Sequence, residues 1–174
     1  GAGTATNALA FGGSPTTGAT EEWTGAGVPI GAWSTGANMN AIYQQSAGAG
    51  TQTAALNFGG RTSGGPPNVT GNTELYNGTS WTELNNMVHG SCNHGGTGTS
   101  TSALTFGKED AVPPSPASST ELWNGTNWAE VNTLNTARSR MGSAGVDNTS
   151  ALSCGGTPSG DYTEQWNGTN WTEV

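Results

Sequence analysis

Paired glutamates are the first residues of the chain that could do chemistry. The two members of each pair are nine residues apart, and the pairs are Glu74/Glu83, Glu121/Glu130 and Glu164/Glu173. Two carboxylates can hold Ca²⁺ through their oxygens, or act as acid and base in glycoside hydrolysis. An active site is normally unique, however, whereas this pair recurs at a fixed period. We therefore predict that the pairs lie on a solvated outer strand, where charge also discourages edge-to-edge pairing.

Histidine and cysteine are too sparse to indicate a metal centre. His89 and His94 are the two histidines of the sequence, whereas a zinc or copper site needs three or four converging ligands. We predict that both histidines are polar lining near a channel. Cys154 is expected to be a small buried apolar residue, and its pairing with Cys92 stays open because a disulfide needs Cα atoms within about 7 Å. We predict no catalytic residue, no cofactor and no metal ligand, and hence no enzyme.

Six Asn-x-Ser/Thr sequons support two readings. They start at Asn68, Asn77, Asn124, Asn148, Asn167 and Asn170. As modification signals they would carry N-linked glycans in an exported protein. As turns, the Asn-Gly pairs among them are a strong hairpin signal because both residues tolerate positive φ. A four-residue loop would place Tyr76 opposite Trp81, and a two-residue loop would place Glu74 there instead.

These residues are carried by a repeated motif. It reads TELYNGTSWTEL from Thr73, TELWNGTNWAEV from Thr120 and TEQWNGTNWTEV from Thr163, with a looser copy between Thr20 and Trp33. The repeated aromatic positions are Trp23, Trp33, Tyr76, Trp81, Trp123, Trp128, Trp166 and Trp171. Upstream, Phe11, Phe58, Phe106 and Cys154 are spaced 47, 48 and 48 residues apart. A period of about 48 residues is in the range of propeller blades.

Each repeat reads as four short strands, and we name the predicted strands A to D. Strand A is predicted at 41–46, 88–92 and 137–143, B at 54–58, C at 73–76 and D at 81–84 of the second repeat. The predicted repeats span 1–36, 37–84, 85–131 and 132–174 within one domain, 1–174. On this alignment the first repeat lacks strand A. Strand B at 4–11 would then have an unpaired edge, without charge or proline to protect it, that recruits another strand.

The sequence resembles kelch repeats. The resemblance rests on Phe58-Gly59-Gly60 and on the aromatic pair of strands C and D, as in Tyr76 with Trp81. The amino-acid sequence of the motif also resembles tandem kelch-like proteins of marine phages and environmental bacteria. The resemblance covers nearly the whole chain and departs at Gly107-Lys108 and at 24–32. It implies an all-β, kelch-like β-propeller with about four blades present, either complete or a segment of a larger ring. It also implies partner or glycan binding through loops, or a structural role in an extracellular or virion assembly.

Composition narrows the functions further. The net charge is −8, from 12 acids and 4 bases, and charged residues make up 9% of 174 residues. Nucleic acid is not expected as a partner because phosphate binding needs a basic patch, and no apolar stretch is long enough for membrane insertion. We predict a structural subunit of an extracellular or virion surface appendage, with copies of itself or other appendage subunits as partners. The alternative is a glycan- or receptor-binding module acting through loops such as 62–70 and 108–119.

Overall fold

The computed structural model describes residues 1–4, 6–13, 17–25, 32–62, 68–109, 116–158 and 160–174. These residues form sixteen β-strands and no helix, and the strands make four antiparallel sheets of four. The sheets are arranged as the blades of a four-bladed β-propeller, around a channel lined by the first strand of every sheet. The predicted all-β propeller is therefore confirmed. We number the blades 1 to 4 in chain order.

Within every blade the strands are hydrogen-bonded in sequence order. Blade 1 contains β1 (Ala2–Gly3), β2 (Asn7–Phe11), β3 (Thr20–Thr24) and β4 (Ala32–Thr35). Blade 2 contains β5 (Ala47–Thr51), β6 (Ala54–Phe58), β7 (Thr73–Tyr76) and β8 (Trp81–Leu84). Blade 3 contains β9 (Gly95–Gly98), β10 (Ala103–Glu109), β11 (Pro116–Trp123) and β12 (Trp128–Val131). Blade 4 contains β13 (Gly142–Asp147), β14 (Ser150–Cys154), β15 (Thr163–Trp166) and β16 (Trp171–Glu173).

The innermost strands are not where the sequence predicted them. Strands B, C and D of the second repeat match β6, β7 and β8, but strand A was wrong at 41–46 and 88–92, and the predicted 137–143 overlaps β13 only at its last two residues. The inner strands are the glycine- and alanine-rich runs that follow the predicted segments, and 41–46 and 88–92 are linkers with isolated bridges. Small residues are needed there because a Cβ on Gly96 would lie 2.7 Å from Cζ of Phe58 in the preceding blade.

Blade 1 consequently has all four strands. The short β1 pairs with β2, with Ala2 opposite Leu9 and Gly3 opposite Ala8. The predicted loss of this strand was wrong because the chain begins with the inner-strand sequence itself. The inner edge of β2 is therefore occupied at Ala8 and Leu9, and the predicted bare edge at 4–11 is not observed there. Ala5 lies outside the described residues.

The core lies between blades, in contacts that we call seams. The first, second and third seams lie between blades 1 and 2, blades 2 and 3, and blades 3 and 4. Each has its own buried apolar cluster, and these clusters contain Met39, Met87 and Leu134 respectively. In the second seam the Phe58 ring of blade 2 packs 5.0 Å from the Trp128 ring of blade 3. Trp128 Nε1 donates a hydrogen bond of 2.9 Å to Oγ1 of Thr73. Trp81, Trp128 and Trp171 are all buried between blades, since each is only 5–6% exposed.

Candidate functional site

The Asn-Gly segments form identical four-residue hairpin loops. Tyr76 lies opposite Trp81 and Glu74 opposite Glu83, so the four-residue alternative is the one observed. Asn77 Oδ1 accepts backbone N–H groups from Thr79 and Ser80 at 3.0 and 2.9 Å. The same two bonds recur at Asn124 and Asn167. Turn geometry thus accounts for an asparagine at these three positions, whether or not they also carry glycans.

The remaining sequons differ in their surroundings. Asn68 is exposed. Asn148 is half-buried, and its Nδ2 donates to the Trp123 carbonyl of blade 3 at 2.9 Å. Asn170 is exposed, and its Oδ1 accepts from Asn132 Nδ2 at 2.9 Å. A glycan on Asn148 would have to break a hydrogen bond between blades 3 and 4 that uses the glycan-accepting Nδ2, whereas only Oδ1 is engaged at Asn170 and at the three hairpin asparagines.

One carboxylate of each repeated pair is buried, which corrects the prediction that both are solvated. Glu74, Glu121 and Glu164 are 0–3% exposed, whereas their cross-strand partners Glu83, Glu130 and Glu173 are exposed. The buried carboxylates accept backbone N–H groups from the linker that enters their blade. Glu74 accepts from Asn40 and Ala41 at 2.9 and 3.3 Å. The glutamate recurs because the backbone N–H groups of each incoming linker need hydrogen-bond acceptors. We call this arrangement of a buried glutamate and its linker a clamp.

The other two clamps add charged neighbours. Glu121 accepts the N–H groups of Val88 and His89 at 2.8 and 3.0 Å. Burial raises the pKa of the Glu121 carboxyl above its usual value, and these two bonds partly offset the effect. Glu164 forms a buried ion pair with Arg138, which also donates to the Tyr162 carbonyl at 2.8 Å. Glu121 and Glu164 therefore hold the linkers in place, as Glu74 does.

The histidines and cysteines lie elsewhere than predicted. His94 is buried against the Phe58 ring, with Nδ1 2.7 Å from Thr105 Oγ1, and is not part of the channel lining. Burial lowers the pKa of His94 to about 4. His89 is half exposed beside Glu121 and Glu130. Cys92 and Cys154 are both free, and Cys154 is exposed because no blade covers it. The prediction of a buried Cys154 was wrong.

The fourth seam, between blades 4 and 1, presents the candidate binding surface. We call the side of a blade that faces the preceding blade its upstream face, and the opposite side its downstream face. On the upstream face of blade 1, Trp33 is 49% exposed, although it occupies the position of the buried Trp128. Its ring packs 5.6 Å from Trp23, and both rings line a cleft of about 410 Å³ with Thr4 and Ala8. This cleft is the most exposed aromatic surface in the described part of the chain.

The downstream face of blade 4 is uncovered as well. Leu152 occupies the position of Leu56 and Leu104, which are both 0% exposed, yet Leu152 is 37% exposed. Cys154 takes the position of Phe58 and is also exposed. The apolar faces of the fourth seam are thus both open to solvent over these residues.

The sequence indicated this surface only indirectly. Trp33 was assigned to the repeated aromatics without any sign that it would differ from Trp128 in exposure. The replacement of phenylalanine by Cys154 was the available signal, since it removes an aromatic ring from the fourth seam alone. The loops predicted to bind glycans lie largely outside the described residues at 63–67 and 110–115. The predicted loop at 108–119 is partly strand, because β10 extends to Glu109 and β11 begins at Pro116.

Comparisons with known proteins identify no family for this chain. No family model matches the chain, and no curated protein matches it significantly. Among the described residues, no three His, Cys, Asp or Glu side chains are grouped as metal ligands would be. The same part of the chain contains no helix of the length and apolarity that a membrane crossing requires. The class that the fold defines is a four-bladed β-propeller.

Proposed function

We propose that this chain is a non-enzymatic structural subunit of an extracellular or virion surface appendage, built from kelch-like blades. The kelch-like assignment is supported by the glycine pair after the second strand. Gly59 and Gly60 have φ values of 66° and 97°, and Gly155 and Gly156 have 66° and 103°. Such conformations strongly favour glycine. The second glycine of this pair is replaced by Lys108 in blade 3.

The observation that carries the structural role is the pair of uncovered apolar faces at the fourth seam. Monomeric soluble proteins seldom expose contiguous apolar patches larger than roughly a few hundred Å², and such patches mark interaction sites. The distinctive repeated residues, by contrast, are engaged in holding blades together. Trp81, Trp128 and Trp171 fill seams, and Glu74, Glu121 and Glu164 hold linkers. On this proposal, the repeated residues build the subunit and the uncovered faces of the fourth seam join it to other subunits.

Immunogold electron microscopy tests this role. Antibodies against the recombinant chain should label an appendage on intact cells or particles that encode the protein, at regular intervals along it. Quantitative mass spectrometry of purified appendages should find the chain in amounts comparable to the other major subunits. Recovery of the chain only as a free protein from the cell interior would contradict the proposal.

A glycan-binding role is the second candidate, and the Trp23/Trp33 cleft is the observation that favours it. Exposed aromatic faces suit the apolar faces of sugar rings, and Trp23 and Trp33 line a shallow depression that is open to solvent. A glycan array should then show binding by the dilute native chain that Trp33→Ala abolishes. Equal array signals from the native chain and Trp33→Ala would exclude this cleft as a sugar site.

A further inference from the structure

The two uncovered faces of the fourth seam are the two halves of a contact that the chain makes three times internally. Phe11, Phe58 and Phe106 meet the next blade's tryptophan with ring centroids 5.1, 5.0 and 4.7 Å apart. Each of those tryptophans donates its indole N–H to a threonine of the preceding blade, at 2.9–3.1 Å. The accepting threonines are Thr20, Thr73 and Thr120.

Blade 1 supplies the tryptophan half of such a contact. Ala8, Trp23 and Trp33 correspond to Ala55, Tyr76 and Trp81 in blade 2, which are 0%, 1% and 6% exposed. Glu21 corresponds to the buried Glu74 and is exposed. All four upstream positions of blade 1 are thus more exposed than their counterparts, as expected if a covering blade is missing from this face.

Blade 4 supplies the threonine half. Thr163 corresponds to Thr120, which is 1% exposed, and is itself only half-buried. Leu152 and Cys154 correspond to Leu104 and Phe106, which are fully buried by blade 4. The contacts between inner strands follow the same pattern, since β1–β5, β5–β9 and β9–β13 are packed together and β13–β1 has no comparable contact among the described residues.

We propose that blade 4 of one copy docks on blade 1 of a second copy, head to tail, through the residue pairs of an internal seam but with the copies offset, because blade 4 of the same copy borders the channel beside blade 1. Trp33 donates its indole N–H to Thr163 Oγ1 of the other copy, and its ring packs on Leu152 and Cys154. The occupant is a second copy because blades 1 and 4 of the chain carry the two complementary halves of the contact. The inference rests on the proposed structural function and names its partner.

Cys154 makes this contact weaker than an internal seam. A thiol fills much less volume than the phenyl ring at the equivalent position, so part of the aromatic contact of the internal seams is lost.

The contact is also heterologous, because two different faces meet. Such contacts build closed rings where the rotation closes, and filaments where it does not. Both outcomes suit a surface appendage.

Chemical cross-linking tests the docking. Thr35 is exposed on β4, on the same face as Trp33 and two residues away. The variant Thr35→Cys therefore keeps Trp33 and adds a thiol close to the expected position of the other copy's Cys154. A short bismaleimide should join residues 35 and 154, while the buried Cys92 stays unreacted. Mixing isotopically light and heavy chains shows by mass spectrometry whether the joined residues come from different copies.

We expect cross-links between copies and products at multiples of 17.5 kDa. Adding Trp33→Ala to Thr35→Cys should lower the yield at least about tenfold, as loss of an interface tryptophan does. The control is Thr82→Cys, which lies exposed on the outer strand of blade 2 and should give no specific product. Circular dichroism and urea unfolding establish that each variant is folded.

Two results would overturn the docking. Cross-links only within one copy would mean that the chain closes its own fourth seam. An absence of cross-links, or cross-links that do not depend on Trp33, would mean that these faces do not join copies. In either case, immunogold labelling of an appendage would leave the structural function standing with a different joint, so the two proposals fail separately.

Discussion

In blades 2, 3 and 4, a single tryptophan of the outer strand packs into the seam with the preceding blade. Trp128 packs on Phe58, bonds to Thr73 and lies opposite Trp123, so it joins two strands and two blades at once. Trp33 has the same place in its own blade but lacks a comparable surface to pack on. Identical residues therefore differ in energetic role because their neighbours differ.

Removing Trp128 should destabilise the propeller strongly. We expect Trp128→Ala to lower the free energy of unfolding by about 3–5 kcal/mol, as large aromatic truncations in a core do. Trp33→Ala is the matched control and should cost less than about 1 kcal/mol in dilute protein, because the side chain is 49% exposed. Urea unfolding followed by circular dichroism measures both. Equal losses would show that the fourth seam is packed like the others.

The buried clamp should be equally sensitive. Glu164→Ala leaves Arg138 buried without its counter-charge and removes the acceptor for the N–H groups of Asn135 and Thr136. We expect a loss of about 3–5 kcal/mol in the free energy of unfolding. The exposed cross-strand partner provides the control, and Glu173→Ala should change stability by less than about 0.5 kcal/mol. Similar effects of the two substitutions in urea unfolding would contradict the clamp.

His94 makes the stability depend on pH. Burial lowers its pKa from 6.5 to about 4, so the unfolded chain binds a proton that the folded chain does not between these values. Because of His94, the free energy of unfolding should therefore fall by roughly 3 kcal/mol as the pH is lowered from about 6.5 towards 4. In the His94→Gln variant, the free energy of unfolding should fall less over this pH range. Parallel pH profiles of the native and variant proteins would refute the assignment.

At the scale of elements, the outer strands could be predicted and the inner ones could not. Thr, Leu, Tyr and Trp in β7 and β8 have strong strand preference and are bounded by a hairpin loop. The inner strand β5 reads Ala-Gly-Ala-Gly-Thr, and its glycines and alanines favour strands weakly. Its strand structure depends on tertiary contact with the neighbouring blade, which a local pattern does not reveal.

The same limit applied to the carboxylates. The nine-residue spacing of Glu74 and Glu83 correctly follows from a four-residue hairpin, but it carries no information on which member is covered. Burial of Glu74 depends on the linker residues Asn40 and Ala41, more than thirty positions earlier. Since a strand face is covered or exposed according to distant elements, the candidate site at the fourth seam was hidden for the same reason.

Glycine in the inner strands should be indispensable where blades touch. A Cβ on Gly96 would lie 2.6 Å from Ala47 Cβ and 2.7 Å from Phe58 Cζ. We expect Gly96→Ala to lower the free energy of unfolding by about 1–3 kcal/mol, as overpacking does. Gly142 is the control on β13, because its nearest neighbour would be 3.7 Å away. Thermal unfolding that shows equal effects at Gly96 and Gly142 would contradict the close approach of the blades.

At the scale of the whole molecule, the four blades share one plan but have unequal surroundings. The apolar clusters of the first three seams are contained within the chain. The fourth seam leaves Trp33 on one side and Leu152 on the other exposed to solvent. In the proposed assembly these faces meet between copies, so the same sequence repeat first builds the subunit and then joins it to the next one.

Hydroxyl-radical footprinting of the tryptophans tests most directly whether the fourth seam is open in one copy and covered by another. Oxidation of each side chain is read separately by mass spectrometry. In dilute protein, Trp33 should be oxidised much faster than Trp81, Trp128 and Trp171, which are 5–6% exposed. As the protein concentration rises, Trp33 should become protected while the other three rates stay unchanged. Protection of Trp33 already in the dilute monomer, or full oxidation of Trp33 at every concentration, would contradict the account.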